Sequence, residues 1–248
     1  MNILITGANG FVAKNFISYI KQSSKNNIFE YYRNSTIDDL SVFIDKIDFI
    51  FHFAAEVRPN ASASDYEDSN TNLTKQIVDL LLSKKLSIPI VLLSSIHAVQ
   101  PKNNYGHTKL KSENILKNYA NNNLSTLIIY RLPHLFGPYC KPNYNSVIST
   151  WINNRLLNKE CLVYDRDIKL TYLYVQDLCS LLLNDLNEPV KQGLIMRAIS
   201  KDLPYSISLG DLLDLIEIII ISKHKFEAKT SFERNLVETI ASYSANIQ

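Results

Sequence analysis

The first ten residues, MNILITGANG (1–10), decide the fold. Asn2–Thr6 reads as a short buried strand, Gly7–Gly10 as a tight turn, and residues 11–21 have the apolar spacing of a helix. Glycine lets the backbone approach a pyrophosphate, and the amino terminus of the following helix supplies unpaired N–H groups. The stretch therefore predicts the opening of a dinucleotide-binding unit, with Ala13 in the place of a frequent third glycine. The predicted cofactor contacts in it are Gly7, Asn9, Gly10, Phe11 and Val12.

Strands and helices alternate from this opening to residue 131. Apolar runs predict strands over Ile28–Tyr32, Phe49–Phe53, Ile88–Ser94 and Leu127–Arg131, and helices over Ile37–Lys46, Asn70–Leu86 and Tyr105–Asn118. Such alternation is typical of a parallel sheet with helices on both faces. We predict an α/β fold with a Rossmann-type, doubly wound parallel sheet.

The pattern changes from His134 onward. Residues 136–146, FGPYCKPNYNS, are rich in proline, glycine and asparagine and predict an irregular loop. Later segments predict helices over Val147–Leu157, Asp177–Asp185 and Leu209–Ser222, and strands over Cys161–Tyr164, Lys169–Val175 and Gln192–Ile199. We predict a nucleotide-binding Rossmann domain over 1–134. Residues 135–248 should form mainly a smaller C-terminal substrate-binding lobe, with some segments returning to the sheet.

Composition excludes several classes of function. The chain has 248 residues, of which 46% are hydrophobic and 20% charged, as in a folded globular protein. A net charge of +2 without a basic block predicts no nucleic-acid partner. Three cysteines, odd in number and without metal-ligand spacing, predict a reducing compartment and no metal site. No secretory signal is visible and the run Leu212–Ile221 is too short to span a bilayer, so we expect no membrane association and a cytoplasmic location.

The end of the second predicted strand bears on the choice of cofactor. NAD-binding proteins commonly place an acidic residue there, whereas NADP binding uses a nearby arginine for the 2′-phosphate. Here the strand ends in Tyr32 and Arg33, and Glu30 lies two residues too early for the acidic role, so NADP(H) is favoured. A solvated loop cation is the alternative for Arg33. The third strand ends in Phe53, Ala54 and Ala55, where small residues allow a cofactor close to the backbone.

A serine, a tyrosine and a lysine form the candidate catalytic set. The fourth strand ends in Ser94 and Ser95, and Tyr105 is followed at a spacing of four by Lys109, which puts both on one face of a helix. A phenol beside an ammonium, with a serine hydroxyl at a strand end, can move a proton onto a carbonyl oxygen. Because the lysine ammonium together with a cationic nicotinamide ring favours the phenolate, we expect a lowered pKa for Tyr105 beside the cofactor. Taken alone, the tyrosine–lysine spacing is also common on solvated helix surfaces.

Together these motifs resemble the extended short-chain dehydrogenase/reductase family. The matching segments are TGANGF (6–11), HFAA (52–55), Ser95, Tyr105 with Lys109, and RLPHLFGP (131–138). The short gap between Ser95 and Tyr105, and the string CKPNYNS (140–146), resemble the reductase domain of a two-domain enzyme of capsular-polysaccharide synthesis. The segment FERNL (232–236) is similar to the exit from that domain.

This resemblance implies reduction of a UDP-4-keto-6-deoxy-N-acetylhexosamine by NADPH. Tyr105 would protonate the oxygen on carbon 4, Ser95 would bind the same oxygen, and Lys109 would hold the nicotinamide ribose. Tyr105, Lys109 and Leu132 would join the cofactor contacts. The implied substrate contacts are Ser95, His134, Cys140, Lys141, Asn143 and Asn145, with Lys141 as the partner for a pyrophosphate. Homodimers are common in the family, so a homo-oligomer is expected by analogy.

Some features depart from the family pattern and leave alternatives open. His134 stands where an asparagine is frequent. The two-domain relative continues into a cupin domain that epimerises carbon 3, and this sequence contains no cupin-like segment, so we expect no such epimerisation. The alternatives are an epimerase that retains its NAD(P), and an inactive NADP-binding protein. A dehydratase is disfavoured because Ile96 and His97, and not an acidic residue, follow Ser95.

Overall fold

The computed structural model describes residues 1–23, 25–188, 192–222 and 225–245. The chain forms two compact units, unit 1 from Met1–Leu132 and Cys179–Ile199, and unit 2 from Pro133–Leu178 and Ser200–Gln248. The elements before residue 133 are β1 (Asn2–Thr6), α1 (Phe11–Ser23), β2 (Asn27–Tyr31), α2 (Ile37–Ser41), β3 (Phe49–His52), α3 (Ala63–Tyr66), α4 (Leu73–Ser83), β4 (Ile90–Ser95), α5 (Asn104–Asn122) and β5 (Thr126–Leu132). Those after it are β6 (His134–Phe136), α6 (Val147–Leu156), β7 (Lys169–Tyr174), α7 (Val175–Asn187), β8 (Gly193–Arg197), β9 (Tyr205–Ser208), α8 (Leu209–Ser222) and α9 (Ser231–Ser244).

Unit 1 is built on one parallel sheet with the strand order β2-β1-β3-β4-β5-β8. The chain moves outward from β1 to β2, and then to the other side through β3, β4 and β5. The strand order therefore reverses between β1 and β3, and in such sheets ligands bind outside the carboxyl ends of the strands at this point. The predicted Rossmann-type, doubly wound α/β fold is confirmed.

The strands of unit 1 are apolar without alternation because helices cover both faces of the sheet. Successive strand residues point to opposite faces. On one face, Leu4 and Ile50 belong to a buried cluster that includes Ile77 of α4. On the other face, Phe51 of β3 meets Phe16 of α1 with ring centroids 4.6 Å apart. This core fixes the carboxyl ends of the strands, where the candidate residues lie.

Unit 2 has a smaller sheet and an aromatic core. Its strand order is β6-β7-β9, with β6 parallel and β9 antiparallel to β7. Phe136, Tyr172 and Tyr174 pack in one buried cluster with Ile216 of α8 and Leu236 of α9. The strand β6 was not predicted, and its last residue, Phe136, opens the segment expected to be an irregular loop.

The predicted strand over Cys161–Tyr164 is wrong. These residues form neither a helix nor a strand. Leu162 is 64% exposed and Tyr164 is 97% exposed, so the apolar pattern here does not mark a buried surface. A strand needs a hydrogen-bonded neighbour, and within the described ranges no other strand pairs with this segment.

Two predicted helices of unit 1 have different limits. The helix expected over Ile37–Lys46 ends at Ser41, and a separate 3₁₀ turn covers Ile44–Lys46. The ring of Phe43 between them stacks on Phe29 at 5.2 Å, which couples the break to the sheet. The helix expected from Asn70 instead begins as α3, passes through a π-helical segment at Glu67–Asn72, and ends as α4.

Candidate active site

The glycine turn between β1 and α1 lies against the segment that follows β3. Gly7 has a φ of +68°, and a Cβ on it would lie 2.8 Å from Cα of Ala54. A side chain here would push the two segments apart. The N–H of Gly10 donates to the carbonyl oxygen of Gly7 at 2.7 Å. Asn9 and Gly10 are exposed, so the first N–H groups of α1 border a surface where a phosphate group can bind.

A chain of hydrogen bonds between hydroxyl and imidazole groups connects the strands next to this turn. The N–H of Ala54 donates to Oγ1 of Thr6 at 3.1 Å, and that oxygen lies 2.8 Å from Nδ1 of His52. Nε2 of His52 lies 2.9 Å from Oγ1 of Thr74 on α4. Burial and the charge of Lys109 lower the pKa of His52 to about 3, so the ring is neutral at physiological pH. His52 is therefore a hydrogen-bonded core residue that joins β1, β3 and α4.

Arg33, which was predicted to favour NADP, follows β2 with 67% of its side chain exposed. Its Nη2 lies 2.9 Å from Oε2 of Glu56, whose side chain is only 1% exposed. Arg58 binds the same carboxylate, with Nε at 2.9 Å from Oε1 and Nη2 at 2.7 Å from Oε2. Against the effect of burial, hydrogen bonds from Arg58 and Arg33 lower the pKa of Glu56 to about 2. Two guanidinium groups thus share one carboxylate, and the cluster keeps a positive charge.

The conformation of the loop between β4 and α5 places Tyr105 near Ser95. The side chain of Asn103 accepts the N–H of Gly106 at 2.9 Å and caps α5. A Cβ on Gly106 would lie 2.6 Å from the carbonyl oxygen of His97, so glycine is needed for this close approach. Tyr105, in the first turn of α5, lies close enough to Ser95 at the end of β4 for the serine side chain to lower the pKa of the phenol.

The pKa of Tyr105 is raised in the protein by itself, and the lowered value expected beside a cationic nicotinamide ring stays a prediction. Burial raises this pKa above 10.0, and the nearby Ser95 side chain offsets only part of the effect. The ring lies 6.1 Å from the ring of Tyr66 and 6.1 Å from that of His97, which limits its access to water. The phenol is consequently protonated at neutral pH, which is the form that can donate a proton.

Lys109 is buried in α5 one turn after Tyr105. Burial lowers the pKa of its ammonium to about 8, while the carboxylate of Glu113 raises it. Among the residues that the structure describes, none forms a hydrogen bond or ion pair with this ammonium. A buried amine in this condition has donors left for a bound ligand, and the hydroxyl groups of a ribose suit it.

Sequence reasoning missed Asn70, which lies in the π-helical segment. Its Oδ1 accepts the N–H of Glu56 at 2.7 Å, and its Nδ2 donates to Oγ1 of Thr108 at 2.9 Å. Its carbonyl oxygen accepts the hydroxyls of Thr74 at 2.5 Å and Ser112 at 2.7 Å. Asn70 thereby ties α5, next to Lys109, to the segment after β3. No local pattern in the sequence marks this role.

Glu113 was also missed, although a signal for it was present. It follows Lys109 by four residues, so Tyr105, Lys109 and Glu113 lie on one face of α5. A charged residue on a buried helix face needs a partner, and Glu113 is fully buried. This spacing could have identified it.

The remaining predicted cofactor contacts of unit 1 lie near these groups along the chain. Phe53 and Ala55 flank Ala54 directly after β3, and both are half-buried. Leu132 is the last residue of β5 and is paired in register with Ser95 of β4. Phe11 and Val12, at the start of α1, are half-buried.

The predicted substrate contacts other than Ser95 all lie in unit 2. The ring of His134 lies 5.7 Å from that of Tyr172. Cys140 is buried, which raises the pKa of its thiol, and its carbonyl oxygen accepts the hydroxyl of Tyr243. The other three predicted substrate contacts are exposed residues of the loop that precedes α6. They are Lys141, whose Nζ lies 5.7 Å from the ring centroid of Tyr144; Asn143, whose N–H donates to Oγ1 of Thr150 at 2.9 Å; and Asn145.

The described part of the chain lacks two kinds of feature, a metal-binding cluster and a membrane-spanning helix. No cluster of three or more His, Cys, Asp or Glu side chains has the arrangement to hold a metal ion there. In the same ranges, no helix has both the length and the apolar content needed to cross a membrane.

The fold and this cluster of residues define a nucleotide-binding α/β protein of the dehydrogenase, reductase or epimerase type. A family model agrees: the NAD dependent epimerase/dehydratase family matches residues 3–194, and the chain belongs to this family. The resemblance deduced from the motifs is confirmed.

The chain is also similar to individual proteins. The chain is 29% identical over 216 residues to UDP-2-acetamido-2,6-beta-L-arabino-hexul-4-ose reductase of Pseudomonas aeruginosa, covering 86% of this chain and 56% of that protein. The structure of the present chain is similar to that of the capsular polysaccharide assembling protein CapF from Staphylococcus aureus, with a TM-score of 0.83 and 33% identity. The match covers 98% of this chain and 66% of that one. The chain thus spans little more than half of the first relative and less than two thirds of the second. MoeE5, solved with UDP-glucose and NAD, shares the fold with a TM-score of 0.85 and 17% identity, and all of both chains is covered.

Proposed function

We propose that this chain is an NADPH-dependent reductase of a 4-keto nucleotide sugar, of the UDP-4-keto-6-deoxy-N-acetylhexosamine type, in capsule or O-antigen synthesis. The observation that carries the proposal is the proximity of Ser95 to a protonated Tyr105, one helical turn from the buried Lys109, whose ammonium forms no hydrogen bond or ion pair with the residues that the structure describes. A reductase needs a proton donor for a developing alkoxide and a cation beside its cofactor. The relationship to a UDP-sugar 4-keto reductase and to CapF supports the choice of substrate.

Tyr105 is the proton donor in this proposal. NADPH, when bound, would supply a hydride to carbon 4 of the sugar and would be oxidised to NADP⁺. The phenol proton of Tyr105 goes to the carbonyl oxygen, and the product is a secondary alcohol. The hydroxyl of Ser95 donates a hydrogen bond to the same oxygen and stabilises its developing negative charge. Lys109 holds the ribose hydroxyls and favours the tyrosinate that remains after proton transfer.

The NADPH preference depends on Arg33. Arg58 already binds both oxygens of Glu56, and two backbone N–H groups donate to Oε1 at 2.9 Å. The single contact of Arg33 with this carboxylate is therefore the one that the cluster can most easily lose. Arg33 can then turn to the 2′-phosphate of NADPH, while Arg58 keeps Glu56 neutralised. Residues 135–248 would provide the contacts to the sugar nucleotide.

The test mixes protein, NADPH and a 4-keto UDP-sugar and follows the absorbance of the reduced cofactor. We expect Tyr105→Phe to lower kcat by roughly 10²- to 10⁴-fold with a much smaller effect on NADPH affinity, since the ring stays and the proton donor is removed. Tyr19→Phe, which removes the same oxygen from a tyrosine in α1, is the matched control and should retain full activity. Absence of turnover with every such sugar, or an active Tyr105→Phe protein, would overturn the reductase assignment. NAD(P) that stays bound through dialysis and is reduced only transiently would favour an epimerase.

The cofactor preference has its own test. Arg33→Ala should lower kcat/KM for NADPH by roughly 10- to 100-fold and leave that for NADH unchanged, because one charge-assisted bond to phosphate is lost. An unchanged ratio of the two values would show that Arg33 does not select NADPH.

A further inference from the structure

Glu113 joins three elements at the carboxyl edge of the sheet in unit 1. Its Oε1 accepts the hydroxyl of Ser94 at 2.6 Å and Nε of Arg131 at 2.9 Å. Its Oε2 accepts Nη2 of Arg131 at 2.7 Å and Nζ of Lys117 at 3.1 Å. The carboxylate is completely buried, whereas Arg131 and Lys117 retain some exposure. We call these four residues the Glu113 cluster.

The position of each partner relates this cluster to the candidate catalytic residues. Ser94 directly precedes Ser95 on β4, so fixing its side chain fixes the backbone that presents the Ser95 hydroxyl on the opposite face. Glu113 lies one turn beyond Lys109 and two turns beyond Tyr105 on α5. Arg131 lies near the end of β5, in register with Ser94. The cluster therefore sets the distance between the helix that carries Tyr105 and the strand that carries Ser95.

We propose that Glu113 is a positioning residue for the reductase, which holds Ser95 against Tyr105 and keeps Lys109 charged. The inference rests on the proposed function. The carboxylate never touches substrate or cofactor in this role and acts through Ser94, α5 and its charge.

The charge of Glu113 has a separate effect from its hydrogen bonds. Lys109 is buried, and the charged group that raises its pKa is the Glu113 carboxylate. Tyr105 on the same helix is protonated, and His52 facing from β3 is neutral. Asn70 and Thr74, from the π-helical segment and α4, do not titrate. Removal of the negative charge at Glu113 would thus lower the pKa of Lys109 below about 8 and leave part of the lysine neutral at pH 7.5.

Two variants separate geometry from charge. Glu113→Gln removes the charge and turns an amide toward the guanidinium of Arg131, whereas Ser94→Ala keeps the charge and removes one hydrogen bond. Asp185→Asn is the matched control, because Asp185 is also a buried carboxylate with an arginine partner, but it lies on α7.

NADPH affinity, measured by cofactor fluorescence between pH 6 and 10, tests the charge effect without any turnover. Wild type should lose affinity as pH rises through the pKa of Lys109, since the ammonium that holds the ribose is lost. In Glu113→Gln this loss should occur at lower pH, whereas in Ser94→Ala and Asp185→Asn it should occur where it does in wild type. In turnover assays, Glu113→Gln should lower kcat by about 10- to 100-fold with little change in KM, and Ser94→Ala by a smaller factor.

The possible outcomes distinguish the two proposals. Wild-type pH dependence and kcat in a folded Glu113→Gln protein would overturn the role of Glu113 while leaving the reductase assignment intact. A loss of kcat in proportion to the unfolded fraction, without a shift in pH dependence, would also overturn it. If wild type binds NADPH but reduces no sugar, the proposed function falls, and the fluorescence titration still decides whether Glu113 controls Lys109. A wild type that does not bind NADPH would remove both proposals.

Discussion

Two consecutive residues of β5 reach buried carboxylates on opposite faces of the same sheet, and the carboxylates behave differently. Arg131 binds Glu113 on α5, and Tyr130 donates its hydroxyl to Asp185 on α7. Asp185 is also bound by Arg197 of β8, with Nη2 at 2.6 Å from Oδ1. Each carboxylate thus has one arginine and one hydroxyl among its partners, and each side chain is almost inaccessible to water.

The balance of burial and hydrogen bonds separates the two sites. Burial raises the pKa of Glu113, but bonds from Arg131, Ser94 and Lys117 outweigh it, and the pKa is lowered. For Asp185, burial outweighs the bonds from Tyr130 and Arg197, and the pKa is raised. Two buried carboxylates with similar partners can therefore differ, with the charged form stabilised in one and destabilised in the other. The stabilised charge is the one beside Lys109.

The largest expected difference is in stability after truncation. Glu113→Ala should lower the free energy of unfolding by about 3 kcal/mol, since Arg131 and Ser94 lose their common acceptor in a buried site. Asp185→Ala should cost about 1 to 2 kcal/mol, because the charge it removes is already poorly stabilised. Urea denaturation of both variants measures the difference. Equal losses would contradict the distinction between the two carboxylates.

The pH dependence should have opposite signs in the two sites. The pKa of Glu113 is lowered on folding, so its stabilising effect is present above the unfolded value of about 4.5 and is lost as pH falls. The pKa of Asp185 is raised on folding, so its contribution is largest below about 3.8 and is lost as pH rises through the folded pKa.

Neutral variants isolate these contributions. Between pH 7 and pH 4, wild type should lose stability relative to Glu113→Gln and gain it relative to Asp185→Asn. Unfolding free energies of the three proteins at several pH values supply the comparison, and slopes of the same sign would refute it.

The smallest effects are expected at the outer partners. Lys117 lies 3.1 Å from Glu113, and Glu188 lies 2.7 Å from Nη2 of Arg197, but both keep contact with solvent. Lys117→Ala and Glu188→Ala should each change stability by less than about 1 kcal/mol, as exposed ion pairs do. Thermal denaturation at low and high salt can measure this. A loss comparable with that of the buried carboxylates would mean that the outer partners are integral to the clusters.

The structural features that depend on a local sequence pattern could be predicted from the sequence. The strands of unit 1 lie within two residues of their predicted limits, because apolar runs between glycine, proline and polar turns reflect burial directly. The glycine turn and the Ser95, Tyr105 and Lys109 set were predicted because each depends on short spacings. Whether these residues act as proposed stays a prediction.

Contacts between distant parts of the chain were not predictable in this way. Glu56 binds Arg33 across 23 residues, and Asp185 binds Tyr130 across 55 residues. Their partners follow from the strand order and not from any local pattern. The strand wrongly expected over Cys161–Tyr164 shows the converse, since none of the strands in the described part of the chain pairs with this local apolar pattern. Burial also raises the pKa of Tyr105 in the protein by itself, an effect that depends on the whole surrounding structure and that the spacing to Lys109 does not indicate.

The π-helical segment at Glu67–Asn72 makes this part of the molecule sensitive to chain length. Each π-type turn accommodates one residue more than an α-helical turn. Deletion of a single residue would let α3 continue into α4 as an ordinary helix, with full backbone bonding but with one side rotated by about 100° relative to the other. The carbonyl of Asn70 would then no longer face both Thr74 and Ser112. Natural or engineered length variants at this place could retune the surroundings of Lys109 without substitution of any residue.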